Sequence, residues 1–270
     1  MTSPLILITN DDGLHSPGLA AVVRAVRDLG DLLIVAPAEQ QSGMGRSMPG
    51  FFSCALTPRT LTVDGVDYTA YAIDGSPAQA VLHAILGLAK RRPALVVSGI
   101  NHGENLGADI TISGTVGAAL QAGGMGVPGL AMSLEVPKEF HYNHDSGDRI
   151  SWGASEHFTR LFAERLLAES LPKGVYAVKV DIPADATPET AWRVTRQAVQ
   201  SYFGRVGNAE ETQLDMPRAL DYEVHVDWET LARDSDIWAF AHDREVAVVP
   251  LTLDLSGGID LAGFAEAMKR

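Results

Sequence analysis

LILITNDDGLHSPG, residues 5–18, sets an apolar run of strand length directly against two adjacent carboxylates and a helix start. Leu5, Ile6, Leu7 and Ile8 have no polar residue between them, the pattern of a parallel strand buried on both faces. Ser16, Pro17 and Gly18 supply an N-cap with proline at the first helical position. Leu19, Val22, Val23 and Val26 then recur at helical spacing, and Gly30 ends the helix. Strand, polar turn and amphipathic helix make the opening unit of an α/β sheet. Like charges at Asp11 and Asp12 repel, so this turn calls for a positive charge between them.

The same unit recurs down the chain. Residues 32–36 read as a second buried strand stopped by Pro37, and residues 71–73 as a short strand. Asp74-Gly75-Ser76-Pro77 repeats the cap-plus-proline start and opens a helix through Leu88. Residues 94–98 form a third β-branched strand, a helix starts near Ser113-Gly114-Thr115, and residues 127–133 are a further strand. A helix over 155–170 and a strand over 175–182 follow. This alternation predicts an α/β fold of three layers, a parallel sheet with helices on both faces.

After about Val136 the pattern changes. Residues 137–151, with His141, His144, Asp145 and Asp148, read as an exposed polar loop of solvated side chains. Residues 191–250 are β-prone and rich in Trp and Tyr, too little for an independent core. The expected division is therefore a catalytic core over 1–190 and a C-terminal extension over 191–270. That extension packs on the sheet or on another subunit, and Trp192, Tyr202, Trp228 and Trp238 serve packing or an interface.

With 46% hydrophobic and 20% charged residues the chain has globular composition. A formal net charge of -13 disfavours binding to duplex nucleic acid or to an anionic membrane. A small anionic substrate stays open, because a metal and backbone donors reverse the field locally. Cys54 is the only cysteine, so no internal disulfide forms and a reducing compartment fits. Without a transmembrane run or a secretory start, the expectation is a soluble cytoplasmic protein.

Ligands of open parallel sheets bind beyond the carboxyl ends of the strands. Three polar loops fall there: Asn10-Asp11-Asp12-Gly13, residues 39–47 and residues 98–107. Their oxygen donors are the Asp11 and Asp12 carboxylates, the Ser42 hydroxyl and the Asn101 amide carbonyl, a hard set suited to Mg²⁺, Mn²⁺ or Ca²⁺. Ordinary turn chemistry is the competing account of Asp12-Gly13. The glycine-rich run 42–47 offers backbone N–H groups to a phosphate, with Arg46 as a pairing cation. Ser113-Gly114-Thr115 adds unsatisfied N–H groups at a helix start. A flexible loop and plain capping are the alternatives at these two places. His15 and His102 flank the site, as proton-transfer groups or as surface and supporting residues.

Assembled in order, Asn10-Asp11-Asp12-Gly13, Gln41-Ser42-Gly43, Asp74-Gly75-Ser76-Pro77-Ala78, Ser98-Gly99-Ile100-Asn101 through Asn105-Leu106-Gly107, and Ser113-Gly114-Thr115-Val116-Gly117 closely resemble the survival protein SurE family. The match covers about the first 135 residues, with looser likeness at Val194-Thr195-Arg196 and over 236–251. The resemblance implies a metal-dependent 5'-nucleotidase, a phosphomonoesterase that releases phosphate from nucleoside 5'-monophosphates. It implies one divalent metal ion per subunit, Mg²⁺ or Mn²⁺ before Ca²⁺, on Asp11, Asp12, Ser42 and Asn101. The Gly43 loop, Asn105 and the Ser113-Gly114-Thr115 turn would surround the phosphate, and Asn10, Arg46 and Ser47 complete the candidate substrate-binding set. Asp11 and Asp12 are also the catalytic candidates, as proton acceptor or nucleophile. A Rossmann-like core is implied, with C-terminal elements exchanged between subunits of a homodimer or homotetramer. The chain departs from the family pattern at Arg46, in place of histidine, and at Ile112, in place of tyrosine. The alternative functions are a non-catalytic nucleotide or metal sensor, and a phosphatase acting on other phosphomonoesters or short polyphosphate.

Overall fold

Leu5–Thr9 forms the first strand, β1, and every residue in it is buried. Ile6 and Ile8 enter one apolar cluster and Leu7 another, so this run has no use for a polar face. The computed structural model describes residues 3–50, 53–142, 149–206 and 221–269. His144, Asp145 and Asp148 lie outside the described residues. The other strands are β2 (Asp31–Pro37), β3 (Leu56–Val63), β4 (Val66–Ile73), β5 (Leu95–His102), β6 (Gly129–Leu134), β7 (Ala177–Ile182), β8 (Trp192–Val194), β9 (Phe203–Val206), β10 (Asp221–Val224) and β11 (Val246–Leu251). The helices are α1 (Pro17–Val26), α2 (Pro77–His83), α3 (Gly114–Gly124), α4 (Gly153–Ala168) and α5 (Leu261–Ala267).

One sheet runs in the order β3-β4-β2-β1-β5-β6-β7-β11-β8. Neighbours from β4 to β7 are parallel, while β3 is antiparallel to β4, and β11 is antiparallel to β7 but parallel to β8. The sheet is therefore mixed at its edges and parallel through its centre. Val22 of α1 and Phe158 of α4 share a cluster with Ile6, Ile8 and Val97. On the opposite face, Ala80, Val81, Ala118 and Ala122 of α2 and α3 pack on Leu7, Val35 and Val96. Helix, sheet and helix make the three layers.

Two strands differ from their sequence expectation. Residues 71–73 are the end of a hairpin that begins at Leu56. Its turn, Asp64-Gly65, has φ of 51° and 75°, the twist of a tight hairpin. β3 hides from an apolar-pattern reading because Pro58, Arg59 and Thr60 are exposed, as an edge strand allows. The strand expected to stop at Ser98 continues to His102, with a register shift against β6 between Ser98 and Asn101. Gly99 sits in that irregularity at φ 130°, and a Cβ there would lie 2.3 Å from the Met132 carbonyl oxygen. Asn101 and His102 thus belong to a strand rather than to a loop.

Past residue 190, β8 and β11 extend the sheet, whereas β9 and β10 pair as a separate ribbon. α5 has no buried residue; Leu261 and Phe264 on it and Met268 directly after it are exposed. Among the described residues no helix is long and apolar enough to cross a membrane.

Candidate active site

β2, β1 and β5 are neighbours, so the segments that leave their carboxyl ends meet over one crevice. Asp11 is buried there and accepts a hydrogen bond from the Thr115 hydroxyl at the start of α3. Gly114 makes that approach feasible: a Cβ on it would lie 2.7 Å from Asp11 Cβ. The carboxylate therefore abuts the amino end of α3, where N–H groups and the helix dipole favour negative charge. Burial and the neighbouring Asp12 nevertheless push Asp11 up to about 7, against the downward pull of Thr115.

Asp12 is held from two sides. Its Oδ2 lies 3.1 Å from the His102 backbone nitrogen and 3.1 Å from His102 Nδ1. Its Oδ1 accepts from Gln40 Nε2 at 3.2 Å, and the same nitrogen lies 2.9 Å from Ser42 Oγ. Asn101 donates from Nδ2 to the Gly103 carbonyl at 2.7 Å, which leaves Oδ1 3.3 Å from Thr115 Oγ1. Thr115 thus adjoins Asp11 and Asn101, while Gln40 adjoins Asp12 and Ser42. These two side chains join the oxygen donors in two pairs, which the adjacent Asp11 and Asp12 connect.

A divalent cation fits this donor set. Two carboxylates balance its charge, and the amide and hydroxyl oxygens are hard neutral ligands. Among the described residues no group of three or more His, Cys, Asp or Glu side chains could hold a metal, so sulfur- or imidazole-rich coordination has no counterpart.

A cavity of about 310 Å³ opens over the site. Asp11, Ser42, Gly43, Asn101, Asn105 and Ser113 line it. Asp12, Gly114 and Thr115 stand behind that wall through the contacts just described. Asn10 is fully buried and donates to the Gly13 carbonyl at 2.9 Å, shaping the turn rather than lining the cavity. Arg46 turns away, with Nε donating to Gln121 Oε1 at 2.8 Å, and Ser47 lies with it outside the lining. His15 is exposed. His141 departs from the solvated-loop expectation: it is half-buried, lines the cavity, and contacts Tyr222 Oη at 2.8 Å.

Sequence reading missed the supports behind Asn105. Its backbone N–H donates to Asp181 Oδ1 at 2.7 Å and its carbonyl accepts from Lys179 Nζ at 2.7 Å. Lys179 also pairs with Asp181 and, at 3.1 Å, with Asp236, all three side chains fully buried. Burial pushes Asp181 up to about 6 even beside that ammonium. Asp236 in turn accepts from the backbone N–H of Gly107 at 3.1 Å and of Ala198 at 2.8 Å. The one available signal was Lys179 and Asp181 two apart in an otherwise apolar strand, hence on one face. Gln40 and Glu104 carried none.

Residues 6–204 match the family described as survival protein SurE. The chain belongs to the SurE family. A protein named 5'-nucleotidase SurE from Methanocella arvoryzae is 40% identical over 256 residues, spanning 93% of this chain and 92% of that protein. One of the same name from Thermococcus gammatolerans is 37% identical, over 94% and 92%. The crystal structure of the SurE protein from Aquifex aeolicus aligns with a TM-score of 0.72 at 29% identity, covering 98% of this chain and 100% of that one. Within this SurE chain, the Asp11–Asp12 turn, the Ser42 loop and the amino end of α3 lie inside the matched span.

Proposed function

We propose that the chain hydrolyses phosphate monoesters, nucleoside 5'-monophosphates foremost, to nucleoside and inorganic phosphate. The observation that carries this reading is the seating of the Asp11 carboxylate against the amino end of α3, beside Asn101 and over a cavity that Gly43 and Ser113 also line. The names of the relatives support it. On this reading Asp11, Asp12, Ser42 and Asn101 hold one divalent cation per subunit, Mg²⁺ or Mn²⁺. When bound, that ion supplies Lewis acidity to the phosphoryl group and offsets the charge of the two aspartates.

The protein's own groups do the rest. Backbone donors at Gly43 and at Ser113, Gly114 and Thr115 orient the phosphoryl oxygens and stabilise the charge spread over them. The Asp11–Asp12 pair accepts the proton of the attacking water. His102 Nδ1, 3.1 Å from Asp12 Oδ2, holds that carboxylate in place. The same reading includes a cytoplasmic homodimer or homotetramer with exchanged C-terminal elements around the 1–190 core. The exposed Leu261 and Phe264 of α5, with Met268 directly after it, support the second subunit, because apolar groups in such a row suit one.

Phosphate release from a nucleoside monophosphate, measured before and after chelation, tests the reading. Chelation and Asp12→Asn should each lower the rate at least about 100-fold, with Mn²⁺ restoring only the chelated wild type. Full activity without divalent metal overturns the mechanism, and binding of the nucleotide without phosphate release assigns the chain to a sensor instead.

A further inference from the structure

The phosphate-binding reading uses only part of the cavity wall. Phe203 from β9, Tyr222 from β10, His141 and Glu104 line the same 310 Å³ space and none of them has a role in it. These four residues also line a second cavity, so they form a partition with space on both sides. A phosphate ion alone does not need a space of this size, which lies at the small end of ligand pockets, ~300 Å³.

The partition is rigid. Tyr222 and His141 are stacked at 5.9 Å with planes 16° apart, and Phe203 meets Tyr222 edge-on at 5.3 Å. Both imidazole nitrogens are engaged, Nδ1 with Tyr222 Oη at 2.8 Å and Nε2 with the Val136 carbonyl at 3.2 Å. In the neutral imidazole both contacts are satisfied when Nε2–H donates to the Val136 carbonyl and Nδ1 accepts from the tyrosine hydroxyl. The downward shift that burial gives His141 favours that neutral ring. The Asp109 carboxylate, also in the cavity wall, accepts the backbone N–H groups of Tyr202 at 2.8 Å and Phe203 at 3.2 Å. The ribbon is thereby pinned to the loop that carries Asn105.

Glu104 adds a polar group to this aromatic wall. Its Oε2 is buried and has no hydrogen-bond partner among the described residues. Burial, with Glu135 and Asp181 nearby, pushes its carboxyl up to about 8, so near neutral pH it is chiefly an acid with one donor and one acceptor. Buried polar atoms without partners are uncommon and call for an explanation, and a bound ligand is one.

We propose that Phe203, Tyr222 and Glu104 form the subsite for the heterocyclic base of the substrate, with the aromatic rings as stacking surface and Glu104 as the specificity residue that reads the base edge. The inference rests on the phosphomonoesterase reading of the neighbouring carboxylates. A preformed aromatic surface suits a planar ring because little ordering remains when the ligand arrives. It favours a nucleotide over a bare sugar phosphate or polyphosphate, neither of which has a face to stack.

The test compares a nucleoside monophosphate with ribose 5-phosphate, the same phosphate and sugar without a base. In wild type kcat/KM should favour the nucleotide by about tenfold or more, the usual effect of one base–aromatic stack. Phe203→Leu should lower that preference about tenfold, chiefly through KM for the nucleotide. Glu104→Leu should change the ranking among purine and pyrimidine monophosphates, and Glu104→Gln, which keeps a donor and an acceptor, should restore most of it. Equilibrium binding of both compounds to the same variants provides a readout independent of turnover. If nucleotide binding depends on Phe203 but no phosphate is released, the subsite stands and the hydrolytic reading falls. If both compounds are hydrolysed and Phe203→Leu affects them equally, the hydrolytic reading stands and the subsite is overturned.

Discussion

Asp11→Asn should make the metal-free protein more stable while removing its response to Mn²⁺. In the folded chain burial and Asp12 raise the Asp11 carboxyl from 3.8 to about 7. A raised carboxyl disfavours folding wherever the unfolded chain is ionised. The penalty is therefore fully present above pH 7, shrinks as the pH falls, and vanishes below the unfolded value. The gap corresponds to at most about 4 kcal/mol. Asparagine keeps an acceptor for the Thr115 hydroxyl but loses the second carboxylate oxygen, and a weakened hydrogen bond to the Thr115 backbone costs about 1–2 kcal/mol. The net gain is about 2 kcal/mol, or roughly 4 °C in Tm for a chain of this size. Calorimetry after exhaustive chelation should find the variant melting higher at about pH 8, with the difference narrowing toward about pH 5. Added Mn²⁺ should raise the wild-type Tm and leave that of the variant unchanged. A variant that melts below wild type at the higher pH, or a difference independent of pH, would refute the account of two uncompensated carboxylates.

Two further substitutions probe the supports of the site. Gly114→Ala puts a methyl group 2.8 Å from Asp11 Oδ2, and displacing that carboxylate should lower phosphate release about 100-fold with the circular dichroism spectrum unchanged. A loss under about twofold would mean that the close approach to α3 is dispensable. Lys179→Met leaves Asp181 and Asp236 buried without their shared cation and should cost about 3–5 kcal/mol in urea unfolding. A loss below about 1 kcal/mol would show that the two carboxylates protonate without consequence.

Legibility varied along the chain for physical reasons. The central strands announce themselves because burial on both faces demands unbroken apolar runs, as in residues 5–8 and 32–36. β3 does not, since an exposed edge tolerates Pro58 and Arg59, although Asp64-Gly65 between Val63 and Val66 was a readable hairpin signal. The extension of β5 to His102 was hidden because Gly99 and Asn101 are turn-formers by composition, and only pairing with β6 keeps them in the sheet. At the site, donors next to a strand end or helix cap were legible: Asp11, Asp12, Ser42, Asn101 and Ser113. Arg46 was read as a phosphate partner from its loop alone, but Gln121, 75 residues later, takes its side chain. Gln40 reaches Asp12 from 28 residues away, and Glu104 is set by Glu135 and Asp181, separations that no local pattern encodes.

The sequence by itself determined the layer order, the strand ends at which polar groups gather, and the hardness of the oxygen donors, because these follow from local apolar periodicity and side-chain chemistry. Tertiary structure alone decided which donors meet. Thr115 reaches Asp11 across 104 residues and Asp236 reaches the Gly107 N–H across 129. It also decided that β9 and β10 wall the cavity rather than hang free, because Asp109 pins Tyr202 and Phe203 from another part of the chain. Contacts between residues so far apart depend on how the sheet brings its edges and loops together, and that geometry belongs to the folded chain as a whole.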